Sequence, residues 1–365
     1  MEDLYPIAEH FSRQAGIADI CELGSGNIND TFLVTTDAPA EPHFVLQRIN
    51  PRVFADPRLV MQNIRTATDH MDRRLKERAA GDGARWEIPR LIRTRDGRDY
   101  LTGADGSFWR GITFLEGCRS FGSLTDDAHA REVGYGLGMF HALLSDLPPG
   151  RLADTLPGFH ITPRYLRRYS EVLAARTPPG SAEERHCEAF IKDRTSFARV
   201  LEDAKEKGLL LLRPVHGDPK TDNIMMDNIT GRAVGVIDLD TVKPGLVHYD
   251  IGDCLRSACN PLGEETEEWE RVRFDPDICR AVLRGYFSEA KRFLSRSDIA
   301  CIPDAVRLIA FELGLRFFTD HLEDDAYFKV RRPGHNLARA LVQFRLAASI
   351  ESQEATIRAI VGDLL

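Results

Sequence analysis

The run His216-Gly217-Asp218-Pro219-Lys220-Thr221-Asp222-Asn223, followed further on by Val236-Ile237-Asp238-Leu239-Asp240, holds the residue types of phosphoryl transfer in the order that chemistry uses them. An aspartate beside the attacking hydroxyl accepts its proton. An asparagine four intervening residues later, and an acidic residue beyond a hairpin, hold magnesium on the phosphates of a nucleotide. Asp218, Asn223 and Asp238 fill those places, and Lys220 is positioned to set a point charge on the transferred phosphate. Taken singly, an Asp or Asn in such a loop reads as a turn or cap residue. The reading rests on the ordered set, with an apolar stretch before it and a hairpin between its halves. His216 is assigned a structural role, holding the loop by packing and hydrogen bonding.

A second cluster bears on nucleotide binding. Gly24-Ser25-Gly26-Asn27 lies between two strand candidates, where glycine lets backbone amides approach phosphates closely. The alternative is a plain hairpin, since Asn29 stands where the third glycine of G-x-G-x-x-G belongs. On Phe44-Val45-Leu46-Gln47-Arg48-Ile49, alternation sets Leu46 and Arg48 on one face and Gln47 on the other. Arg48 is the phosphate-contacting candidate there, the other reading being a solvated edge residue.

The elements that position these groups divide the chain. Leu4, Ile7, Ala8 and Phe11 predict a short amphipathic helix; Ile20 to Leu23, Thr31 to Thr35 and Phe44 to Ile49 predict strands; Val60, Ile64, Ala67, Met71 and Leu75 predict a helix entered at Pro57. Strand signals return at 89–92, 100–102 and 108–115, with turns at Asp96-Gly97 and Asp105-Gly106. From Asp126 helical periods dominate: Val133, Leu137, Phe140, Leu144; Phe190, Phe197, Leu201, Ala204; Val306, Ile309, Leu313, Phe317. Within that region 209–215, 224–227 and 233–239 read as strands around turn residues 228–231, and 148–158 and 177–180 as loops. The expected boundary lies near Gly117, giving a lobe at 1–116 and a helical lobe at 117–365.

Composition narrows the function classes. With 48 basic and 56 acidic residues in 365, the net charge is −8, which leaves no basic excess for a nucleic-acid backbone. A hydrophobic content of 43% is enough for a sizeable core. The seven cysteines form no CxxC pair, so neither a disulfide framework nor a thiolate zinc site is expected and they are read as reduced. The N-terminus lacks the pattern of a signal peptide and no apolar run nears the roughly 20 residues that span a bilayer, so a cytoplasmic protein without membrane partners is expected.

The loop 216–223, the segment 237–240 and Tyr249-Asp250-Ile251-Gly252-Asp253 together resemble the aminoglycoside phosphotransferase and choline kinase superfamily. Gly26-Asn27-Ile28-Asn29-Asp30-Thr31, Leu46-Gln47-Arg48-Ile49-Asn50, Pro157-Gly158-Phe159-His160, 238–242 and 317–328 resemble the bacterial N-acetylhexosamine 1-kinases within it. The resemblance implies an α+β, two-lobed protein-kinase-like fold, with a small antiparallel-sheet N-lobe carrying one main helix and a larger, mostly helical C-lobe. It implies ATP and magnesium as cofactors, with Asp218 as base in contact with the acceptor and Asn223 and Asp238 on the metal. The segment 114–117, including Leu115 and Glu116, becomes the hinge that meets adenine, and Asp250 a brace under the loop. Arg316 and Tyr327 fall where sugar-contacting side chains stand, the alternative being packing.

Two departures stand out. Arg48 occupies a position where many members have lysine, and the following helix offers Gln62 and Asp69 but no glutamate as ion-pair partner. Asp240 replaces the glycine of the protein-kinase triplet and is assigned to metal or loop geometry. The expected reaction is γ-phosphoryl transfer to a hydroxyl of a sugar or amino sugar. The alternatives are a cationic acceptor such as an aminoglycoside, choline or homoserine, or a nucleotide-binding pseudokinase.

Overall fold

The computed structural model describes residues 4–12, 16–24, 28–38, 42–78, 85–176 and 180–364. Helix α1 (Tyr5–Glu9) precedes strands β1 (Ile17–Glu22), β2 (Asp30–Thr36) and β3 (Phe44–Ile49); after the long helix α2 (Pro57–Arg78) come β4 (Leu91–Ile92), β5 (Leu101–Thr102) and β6 (Phe108–Thr113). They form one antiparallel sheet in the order β1-β2-β3-β6-β4, with β5 also paired to β6. The period of two along each strand sorts side chains onto two faces. Phe44 and Leu46 join Trp109 and Phe11 in a small core beside α1. Ile49 and Phe108 point the other way and join Val60, Ile64, Ala67 and Met71 of α2 in the main core.

Helix α2 is tied to the rest of the chain by a buried polar residue. Asn63 Nδ2 donates to the carbonyls of Ala153 and Val242 at 2.8 and 2.9 Å, and its Oδ1 accepts from Ala153 N–H at 2.8 Å. These bonds satisfy three backbone groups that a buried connection otherwise leaves open.

The second part is helical around two small strand pairings. It comprises β7 (Cys118–Arg119), α3 (Asp127–Leu144), α4 (Thr162–Ala174), α5 (Ala182–Lys192), α6 (Val200–Glu206), β8 (Arg213–Val215), β9 (Ile224–Asp227), β10 (Ala233–Val236) and β11 (Lys243–Gly245). Then follow α7 (Val247–Ala258), α8 (Pro276–Ala290), α9 (Arg296–Ala300), α10 (Ile302–Leu322), α11 (His335–Ser352) and α12 (Glu354–Asp363). Strand β9 lies between β10 and β7, while β8 pairs with β11. Asp126 caps α3 by accepting from His129 N–H at 2.8 Å, as expected of an aspartate at that position. Helices α3 and α8 pack backbone to backbone: a Cβ on Gly134 would lie 1.8 Å from the Val282 carbonyl oxygen, and one on Gly285 1.9 Å from that of Arg131. Among the described residues no helix is long and apolar enough to cross a membrane.

Two expectations from periodicity fail here. The stripe through Phe190 and Ala204 is not one helix: α5 stops at Lys192, a 3-10 turn covers Thr195–Arg199, and α6 follows. At the break Arg194 folds over the Phe190 ring at 3.6 Å and pairs with Glu351 of α11 through two bonds of 2.7 Å, a tertiary contact that overrides local period. In the apolar run 209–215 only the last three residues are strand, and Leu209, Leu211 and Leu212 face solvent.

Candidate active site

Strand β8 delivers the chain into the loop that begins at His216. Gly217 has φ +89°, and a Cβ there would sit 2.9 Å from the Thr241 carbonyl oxygen, so the loop passes this point only as glycine. Thr241 Oγ1 donates to the His216 carbonyl at 2.6 Å. His216 Nε2 donates to the Ile237 carbonyl at 2.9 Å while Nδ1 accepts from Asp218 N–H at 3.3 Å, the bonding of a neutral imidazole. Burial lowers its pKa in the same direction. The loop and the segment after β10 are thereby stitched together by a neutral histidine.

Beneath the loop, Asp250 of α7 accepts from His216 N–H at 2.6 Å, Gly217 N–H at 2.8 Å and His141 Nε2 at 2.8 Å. Burial pushes its carboxyl up, but the bonds from His141 and the loop outweigh that and hold it below the usual carboxylate range. His141, on α3, also meets the Tyr286 hydroxyl of α8 at 3.0 Å. From the other side His160, a non-glycine residue at φ +62°, donates from Nε2 to the Gly217 carbonyl at 2.8 Å and meets Glu312 of α10 at 2.9 Å through Nδ1. Burial acts against protonation of this ring, yet the Glu312 carboxylate prevails and its pKa is raised.

So held, the loop presents Asp218 half-buried, with Lys220 Nζ 3.6 Å from its carboxylate and 4.0 Å from that of Asp222. The Asp218 carboxylate raises the Lys220 pKa despite burial, so the ammonium stays charged. Asn223 Nδ2 donates to the Asp218 carbonyl at 2.7 Å, which leaves Oδ1 as the atom a cation would use. Asp238 adopts the left-handed conformation at φ +64°, a strain that aspartate tolerates better than most residues. Its carboxyl opens to the cleft, yet the surrounding protein, then Asp240 and Asp218, push it up to about 7.

Among the described residues no three or more His, Cys, Asp or Glu are grouped to hold a metal unaided. The donors present, one amide oxygen and one carboxylate crowded by its neighbours, suit magnesium, which takes one or two carboxylates plus phosphate oxygens and water.

Arg48 requires a correction. Alternation on β3 holds, but it is Gln47 whose face turns toward the segment of Asp240. Arg48 lies on the α1 side, 3.4 Å from Asp105 and 5.8 Å from the Trp109 ring centroid. On that face stands Arg110 of β6, directly opposite Gln47 in the register. It donates to Gln47 Oε1 from Nε at 3.0 Å and Nη2 at 2.6 Å, and Nη2 also pairs with Asp240. The other Asp240 oxygen accepts from Asn29 Nδ2 at 2.6 Å. Asp240 is thus gripped by two residues of the sheet part, neither singled out from sequence as functional. The one signal was Asn29 itself, at the place where a third glycine is absent.

The remaining candidates fall in three places. Gly24 has φ +74°, as a turn requires, whereas Ser25, Gly26 and Asn27 lie outside the described residues. Leu115 is buried with Met225 and Val234, and the Glu116 carbonyl accepts from Arg85 Nη2. Arg316 and Tyr327 line one cavity of about 530 Å³, together with Arg52, Phe159, Arg164, Tyr165, Arg168, Asp320, Glu323 and Phe328 among others. Its wall joins the loop through Phe159, next to His160.

A small antiparallel sheet with one main helix, set against a helical part that carries an aspartate loop and an acidic segment after a hairpin, is the architecture of a protein-kinase-like phosphotransferase. Residues 19–288 match the model of the phosphotransferase enzyme family, APH, and the chain belongs to that family. It is a small-molecule kinase, a phosphotransferase acting on hydroxyl groups. Solved structures agree on the fold. An aminoglycoside phosphotransferase from Alicyclobacillus acidocaldarius aligns at TM-score 0.62 and 16% identity, over 98% of this chain and 95% of that one. A microcompartment-associated aminopropanol kinase aligns at 0.63 and 17%, over 97% and 98%. A choline kinase from Cryptosporidium parvum aligns at 0.57 and 12%, over 92% and 89%.

Proposed function

We propose that this protein transfers the γ-phosphoryl group of magnesium-ATP to a hydroxyl of a sugar or amino sugar, in the manner of the N-acetylhexosamine 1-kinases it resembles. The observation that carries the acceptor class is the position of Arg316. Its guanidinium carbon lies 5.1, 5.2 and 5.4 Å from the ring centroids of Phe159, Tyr165 and Phe328. An aromatic cage of that kind would receive a quaternary amine, but here the chain's own cation fills it. The acids of the cavity are engaged: Asp320 accepts from Tyr327 N–H, Phe328 N–H and Asn336 Nδ2 at 2.7, 2.9 and 2.9 Å, and Glu323 pairs with Arg168. Such a wall disfavours aminoglycoside or choline and suits hydroxyl and carbonyl oxygens.

In this reading residues 1–116 form the nucleotide lobe and 117–365 the catalytic and acceptor lobe, in a protein of the cytoplasm. The backbone at Leu115 and Glu116 meets adenine, and the turn Gly24, Ser25, Gly26, Asn27 lies over the phosphates. Asn223 and Asp238 would hold magnesium, which neutralises phosphate oxygens when bound. Asp218 aligns the acceptor hydroxyl and takes its proton as the oxygen bonds to phosphorus, and Lys220 offsets negative charge on the transferring group. The acceptor enters over Arg316 and Tyr327, and His160 and Asp250 fix the loop so that Asp218 meets it in one geometry. An ATP-consumption screen with magnesium over N-acetylhexosamines, neutral sugars, aminoglycosides, choline and homoserine tests this. Selective turnover of a sugar is expected, and selective turnover of a cationic acceptor would overturn it.

A further inference from the structure

We propose that Arg110 is the cation this site sets against the nucleotide's phosphates, with Asp240 as its counter-ion and Arg48 uninvolved; the inference rests on the nucleotide reading above. Arg110 is completely buried, on the face of β6 it shares with Gln47 and Asp240. Gln47 Oε1 takes Nε and Nη2, which fixes the plane of the guanidinium, and Asp240 takes Nη2 as well. Nη1 is buried with no hydrogen-bond partner. A buried donor left unpaired is costly, and a guanidinium donor most of all, so the site is favourable to an acceptor oxygen brought in from outside. Asp240 does not supply that acceptor: its oxygens meet Nη2 and Asn29, and neither bonds Nη1.

Charge and connectivity point the same way. A planar guanidinium held in one orientation by one neutral and one anionic partner is suited to a phosphate, which it meets with geometric definition that an ammonium lacks. Asp240 lies two residues after Asp238, in the 3-10 turn Leu239–Thr241. One buried pair therefore connects the sheet that covers the nucleotide to the segment proposed to bind its metal. This accounts for α2, whose one glutamate, Glu77, pairs with Arg73 and Arg74 of the same helix: the cation stands on β6 rather than β3, and its partner on the catalytic segment rather than the helix. Helix α2 is held by Asn63 instead. Arg48, on the opposite face with Asp105 beside it, has no part in this arrangement.

The test is calorimetric binding of ADP and of adenosine to the full chain in EDTA, so that metal does not enter. For Arg110→Gln, ADP affinity should fall at least about tenfold, the loss of a charge-assisted bond, while adenosine affinity stays within about twofold. Arg110→Lys, which keeps the charge, should lie between. Arg48→Gln should match the wild type for both ligands. The double variant Arg110→Gln/Asp240→Asn removes both charges, and under the proposal its ADP affinity stays low. Recovery of ADP binding in that double variant would show that Arg110 serves only to neutralise Asp240, and would overturn the proposal. Equal loss of ADP and adenosine affinity in all three Arg110 variants, or ADP loss in Arg48→Gln alone, would overturn it as well. Failure of the wild type to bind either ligand would instead refute the nucleotide reading on which it rests.

Discussion

His160 donates from Nε2 to the carbonyl of Gly217 at 2.8 Å, so a residue ahead of α4 fixes the backbone immediately before the proposed base. Its other nitrogen meets Glu312, whose second oxygen accepts from Thr162 Oγ1 at 2.6 Å. The chain α10, His160, Gly217 is a mechanical linkage from the helix that carries Arg316 to the loop that carries Asp218. Replacing His160 with Ala should lower kcat by about tenfold to a hundredfold through misplacement of Asp218, with KM for ATP within about twofold. Steady-state kinetics with both substrates checks this; a change confined to KM for ATP would place His160 elsewhere in the mechanism.

Asn63 is the polar pin of α2. Asn63→Leu leaves the Ala153 N–H and the Ala153 and Val242 carbonyls without their partner. The expected cost is about 3 kcal/mol, from buried backbone groups left unpaired. Urea unfolding at fixed pH measures it, and a loss below about 1 kcal/mol would mean that water replaces the amide there.

Much of this was legible in the sequence because it is local. The strand pattern at 44–49 and the stripe Val60 to Met71 declare themselves by period within a few residues, while Asp218, Asn223 and Asp238 are proposed as a set from their spacing across a loop and a hairpin. What was not legible depends on register and on contacts between distant segments. Period two on β3 separates Gln47 from Arg48 but does not say which face meets Asp240; that is settled by α1 covering the Trp109 side. The partnership of Arg110 with Asp240 joins residues 130 positions apart, and Asn29 with Asp240 joins residues 211 apart. Neither spacing leaves a trace in sequence. The break between α5 and α6 was hidden likewise, because Glu351 lies far along the chain.

Buried histidines make stability depend on pH between 7 and 5. Burial holds the pKa of His216 and His248 below the ordinary 6.5. Below that value the unfolded chain takes up protons that the folded chain refuses, so folding loses free energy as pH falls. His160 works in the opposite sense: its pKa is raised, so it contributes stability below 6.5 that is lost as pH climbs through its folded value. His129 is held down in the same way, whereas the raised Asp238 carboxyl works with His160, so the contributions are read from single variants. Relative to the wild type, the urea midpoint should fall less toward pH 5 in His248→Gln and more in His160→Gln. The opposite ordering of the two variants would contradict the assignment.

The acceptor cavity makes a separable prediction. Arg316→Met keeps bulk among Phe159, Tyr165 and Phe328 but removes the donors. KM for the sugar should rise about tenfold, the worth of one charged hydrogen bond, with KM for ATP unchanged. If the variant instead accepts choline while losing the sugar, the cage has been emptied for a cation, which also supports the present account of why Arg316 fills it. Unchanged KM for the sugar would remove Arg316 from the acceptor site.

Asp218 is proposed to take the proton of the acceptor hydroxyl. The most direct measurement is turnover of magnesium-ATP with the best acceptor by Asp218→Asn beside the wild type, with ADP binding measured on the same preparations. The account predicts a loss of about 10²–10⁴ in kcat, the range for a general base, with ADP affinity within about twofold. Turnover within about twofold of the wild type would contradict it, since a group worth so little is not the base.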